Sequence, residues 1–113
     1  MAAYEIPNLR FSAEAGAAVA RRRFITINAD EQGVHAGAGD AVIGASMVDA
    51  DVGEVLEIAN GIVIVEAAAE ITAGSEVQSD ADGRVIPIDQ GHVAGIAMTN
   101  ASGEGALVSV MIR

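Results

Sequence analysis

A chain of 113 residues is long enough for one domain with one core. Hydrophobic residues make up 51% of it but aromatics only 3%, so the core must be built from short aliphatic side chains, which disfavours aromatic-walled small-molecule clefts. A formal charge of −10, with arginine as its only strong base, opposes binding to nucleic-acid phosphates and to anionic membranes, and the absence of cysteine removes disulfides and thiolate metal sites.

The N-terminus does not read as a secretory leader, because Glu5 precedes any basic residue and the apolar stretch 15–20 is short and alanine-rich. No run has the length of a membrane span. Residues 1–11, "MAAYEIPNLRF", read as an extended arm: Tyr4, Ile6, Leu9 and Phe11 are apolar, and Pro7 opposes both helix and sheet. A loose terminus is one reading and a docking segment the other. Two of the three aromatics lie here, which favours docking. Residues 12–23, "SAEAGAAVARRR", continue as a connector. Their alanines favour a short helix, and Gly16 weakens it. Arg21, Arg22 and Arg23 form either a solvated edge or a contact with an acidic partner or a neighbouring copy.

From Phe24 to the end the pattern is that of a single β domain over 24–113. "FITIN", "AVIGASMV", "EVLEIA", "GIVIVEA", "EVQS", "RVIPI", "HVAGIAM" and "ALVSVMI" are short β-branched runs parted by Gly, Asp and Asn. Such spacing predicts an all-β sandwich or barrel with at most one short helix. The chain also matches itself at a shift of about fifty residues. Ile27 to Val34 lines up with Val77 to Arg84, and Val42 to Met47 with Val93 to Met98 after one residue of slip. Two pseudo-repeated halves, about 24–59 and 74–113, are therefore expected. Gly44 and Gly95 fall inside strands, where glycine marks a bulge or a close backbone approach.

Asp80-Ala81-Asp82-Gly83 has the look of a cation loop. An EF-hand-type loop needs a glycine at its sixth position and a bidentate Glu at its twelfth, and here those positions hold Val85 and Gly91. The segment reads instead as a hairpin turn in which glycine supplies a positive φ. His35 and His92 stand far apart near strand starts and give no zinc spacing. No serine stands in a nucleophile elbow. Gly37-Ala38-Gly39 lacks the following helix and the basic residue of a phosphate loop. Biotinyl and lipoyl carriers share phrases such as "ITAGSEV", but they attach their group to a lysine and this chain has none.

"ITAGSEVQSDADGRVIPI", then "GHVAGIAM", then "GALVSVMI" resemble the C-terminal half of the small tailed-phage capsid decoration, or cement, proteins. The stretch from Arg21 to Ala67 resembles their first half, so the likeness covers about residues 20–113. It implies a virion protein, made in the host cytoplasm, that sits on the outside of a phage head. Its partner would be the major capsid protein, and the homotrimer its common state. It implies no cofactor and brings no catalytic residues. A clip that binds only the expanded shell stabilises it by mass action, and many weak contacts add up through multivalency. The candidate capsid or inter-subunit contacts are Tyr4, Ile6, Pro7, Leu9 and Phe11 of the arm, with Arg21, Arg22 and Arg23. The alternative is a non-enzymatic surface-binding module, either a head-fibre base or a glycan- or host-binding domain. Sugar stacking is poorly served, because Phe24 is the only aromatic residue outside the arm.

Overall fold

The structure, a computed structural model, describes residues 3–113, so residues 1 and 2 of the expected arm lie outside the described residues. Nine strands follow in order: β1 (Ile6–Glu14), β2 (Phe24–Ile27), β3 (Gly33–His35), β4 (Gly44–Ser46), β5 (Val55–Glu66), β6 (Glu76–Ser79), β7 (Val85–Pro87), β8 (Gly95–Ala97) and β9 (Leu107–Ile112). Every strand-to-strand ladder is antiparallel, in the order β3-β2-β4-β5-β9-β8-β6-β7, with β1 laid on β5. Among the described residues there is no helix. The alanine-rich connector is not helical because tertiary pairing claims its backbone. Ala15 donates to Glu54 O, Val19 exchanges hydrogen bonds with Ala50, and both side chains are buried.

The reading of Pro7 as a block to sheet is corrected by the register. Residues 6–14 pair with residues 55–62 of β5, from Ile6 opposite Ile62 to Glu14 opposite Val55. Pro7 sits opposite Gly61 where the register shifts, and β1 has only one strand neighbour. A missing N–H is tolerated at a bulge on an edge strand. The expected arm is thus a strand of the sheet.

The internal repeat is real, but its offset is 52 residues, falling to 51 at β4 and Ala50, and its unit is longer than 24–59 or 74–113. The parallel bridge Ala15–Gly33 recurs as Ala67–Val85, and Val19–Ala50 recurs as Ile71–Ala101. Glu14 opposite Val55 recurs as Glu66 opposite Leu107. One unit therefore begins with β1 and ends in the first part of β5. The other begins in the last part of β5 and ends with β9. The twelve-residue β5 belongs to both.

Its buried positions record that double membership. Leu56 and Ile58 enter a smaller core with Ile25, Val19 and Ala15, against which Phe11 and Ala13 pack. Val63 and Val65 enter a larger core with Phe24, Val77, Val85, Val108 and Val110. Buried residues shift from even to odd numbers between these pairs, as two cores on one long strand require.

Glycines at equivalent places let neighbouring strands approach closely within each half. A Cβ on Gly44 would strike the Ala59 carbonyl, and one on Gly95 the Met111 carbonyl, in each case closer than real Cβ contacts come. Both therefore mark close backbone approach, one of the two roles expected for a strand glycine.

Candidate contact surface

The turn that resembled a cation loop is used up by its own backbone. Asp80 Oδ1 accepts the Asp82 and Arg84 amides, both at 2.8 Å, and Asp80 Oδ2 faces Arg84 Nε at 3.5 Å. Asn28 does the same in the first half, accepting Asp30 N at 3.0 Å and Gln32 N at 2.9 Å. The matched residues are thus Asn28 and Asp80, and Gly83 (φ 77°) corresponds to Glu31 (φ 64°), not to Gly33. The sequence alignment of the two glycines is corrected by two residues. Among the described residues, no three of His, Asp or Glu converge as metal ligands would.

The arginine triplet divides. Arg21 is exposed, and its amide donates to Asp49 Oδ1 at 2.8 Å. Arg22 takes a left-handed φ of 63°, and its carbonyl accepts the Glu66 amide. Arg23 turns toward the second half. Its Nη2 lies 3.6 Å from Glu66 Oε2, and its Nη1 donates to Asp82 O at 3.1 Å. Arg84 reaches the same Glu66 oxygen at 3.5 Å. Burial acts to lower the Arg84 pKa, but Asp80 and Glu66 outweigh it and raise it. The Arg23–Glu66–Arg84–Asp80 chain joins the two halves at sites that are only partly exposed.

His35 is structural too. Its Nε2 accepts the Ala20 amide at 3.0 Å, which only the unprotonated ring can do. Burial, then the nearby Arg23 guanidinium, holds its pKa below 6.5, with Asp82 pulling the other way. A lowered histidine pKa means a contribution to stability that is complete above 6.5 and is lost as pH falls below it. Thermal unfolding between pH 7.5 and 5.5 should show the wild type losing more stability than His35→Gln. Parallel curves for the two would remove His35 from this role. His92 is exposed, with Nδ1 3.0 Å from Gly39 O.

The arm residues face different ways. Tyr4 is held by its backbone: its amide donates to Ser109 Oγ, and its carbonyl accepts from the same hydroxyl. Phe11 faces the smaller core. Ile6 and Leu9 project outward, 61% and 58% exposed. Next to them, a shallow groove of about 420 Å³ is lined by Ile6, Pro7, Asn60, Ile62, Met111 and Ile112. Met111 and Leu107 on β9 are 42% and 43% exposed. Sequence reasoning missed these β9 residues because "ALVSVMI" gives no sign of which alternate faces outward. The repeat does not reveal Met111 either: at the offset of 52 it corresponds to Ala59, which is buried.

The fold is an antiparallel β module with apolar residues exposed on its surface. The family model for phage cement proteins matches residues 5–112, and the chain belongs to that family. Among solved structures, it is similar to the crystal structure of the head fiber gp8.5 N base of bacteriophage phi29. The two share 25% identity and a TM-score of 0.76 over 93% of each chain. Comparison with curated protein sequences gives no match.

Proposed function

We propose that this protein is a non-catalytic cement subunit. It binds the outer surface of a phage head as a homotrimer and bridges neighbouring major capsid subunits. The observation that carries this reading is the cement-family match over residues 5–112. The physical properties of the chain agree with it. A close-packed aliphatic core makes a stiff clip, and the acidic surface keeps many copies soluble at high local concentration. Binding that requires the expanded lattice shifts the shell toward that state by linkage.

The test is co-sedimentation of the purified chain with phage heads that lack it. Saturable binding to expanded heads, with greater resistance of the shells to heat, is the expected result. No binding to heads of any state would reject the proposal. The likeness to a head fiber base favours a second reading, in which the domain is the base that anchors a fibre on the head. Head binding that leaves the heat resistance of the shells unchanged would select it.

A further inference from the structure

We infer that Arg21 and Arg22 form a carboxylate-binding contact through which this chain grips an acidic patch of the shell subunit, and that Arg23 takes no part in it. The inference deepens the cement reading and rests on it.

The first support is the way charge is allotted. The chain has 6 arginines, no lysine and 16 Asp and Glu residues, so acids abound to pair with every arginine. Arg10 pairs with Glu57, Arg23 and Arg84 with Glu66, and Arg113 with Glu76. Among the described residues, no carboxylate pairs with the guanidinium of Arg21 or Arg22. Asp49 Oδ1 takes the Arg21 amide at 2.8 Å instead. Arg21 is exposed and Arg22 half-buried.

The second support is backbone strain. Arg22 has a φ of 63°, which a bulky side chain rarely adopts. The fold requires that conformation at this place: the Arg22 amide donates to Ser46 O at 2.9 Å, and its carbonyl accepts the Glu66 amide. The equivalent residue in the second half is Gly74, with a φ of 89° and its amide on Ala97 O at 2.7 Å. One half thus fills the place with the residue that takes it freely, and the other with a strained arginine. Strain held where glycine would serve points to a use for the side chain. Glu31 stands in the same relation to Gly83, but a carboxylate is the commonest charge on this chain, whereas an unpaired guanidinium is scarce.

The third support is the chemistry of the partner. Guanidinium groups pair with carboxylates and phosphates alike. A polyphosphate meets the field of the whole chain, whose charge is −10. A few carboxylates on one protein surface meet mainly the groups within a Debye length of them. Each exposed ion pair is weak by itself, and a lattice of copies multiplies it.

Co-sedimentation with expanded phage heads at physiological ionic strength, beside thermal melting, tests this. Arg22→Gly should melt no lower than the wild type, yet bind heads several-fold more weakly. Arg21→Gln/Arg22→Gly should lose about tenfold or more, and added salt should narrow its gap from the wild type. Arg113→Gln, which removes an arginine already paired with Glu76, should bind as the wild type does. A double variant that binds as tightly as the wild type overturns the inference and leaves the cement reading standing. An equal loss in Arg113→Gln also overturns it, because net charge then governs. An Arg22→Gly protein that melts well below the wild type makes the side chain structural and does the same. Capture of duplex DNA or anionic vesicles by the wild type, lost in the double variant, would assign the pair to phosphates instead. A wild type that binds no head rejects the inference and the cement reading together.

Discussion

Gly95→Ala should lower stability by about 3 kcal/mol, and with it the melting temperature by on the order of 10 °C or more. The cause is backbone, not side-chain, crowding. The new Cβ would run into the Met111 carbonyl and Val110 Cγ1, and the carbonyl is held in the β8–β9 ladder between Gly95–Ile112 and Ile96–Met111. A long side chain could swing away, but a carbonyl in a ladder can move only if the strand moves. Gly44→Ala should cost a similar amount, because its Cβ would strike the Ala59 carbonyl at the matching place in the first half. Differential scanning calorimetry measures both. A Gly95→Ala protein that melts with the wild type would show that the two strands are not held as closely as described.

Deleting residues 1–11 is the second change with a large expected effect. It removes most of β1, the packing of Phe11 on the smaller core, and the Tyr4 backbone that satisfies the buried Ser109 hydroxyl. The combined loss should be at least about 3 kcal/mol, a large share of the 5–15 kcal/mol typical of a domain. It also bares the edge of β5 along the deleted pairs, so the truncated chain should aggregate. Urea unfolding and sedimentation velocity measure the two effects. An unchanged urea midpoint with a monomeric truncation would contradict the assignment of β1 to the fold. Shell binding should disappear with this deletion as well, but through loss of the fold. Point changes at Ile6 or Leu9, whose side chains face outward, are therefore the sharper probe of contact.

Much of the architecture could be read locally. Runs such as "GIVIVEA" and "ALVSVMI", parted by Gly, Asp and Asn, become β5 and β9, because β-branched alternation and turn chemistry act within a few residues. The repeat could also be read, though a shared glycine drew its alignment two residues astray. Glu31 adopts the left-handed conformation that Gly83 adopts in the other half, and side-chain identity does not report φ.

The candidate contacts were legible only in part. Of the arm's apolar residues, Ile6 and Leu9 are exposed. Phe11 has the same chemistry but faces the core, and Arg23 shares its neighbours' charge but is drawn to Glu66. Strand period and turn residues alone determined that this is an all-β protein of two similar halves. Tertiary structure decided that the first segment is a strand, that β5 serves both halves, and that Ile6, Leu9 and Met111 face outward while Phe11 faces the core. Those outcomes depend on which distant backbone pairs with which, and pairing energy is gained only when residues far apart in the chain meet.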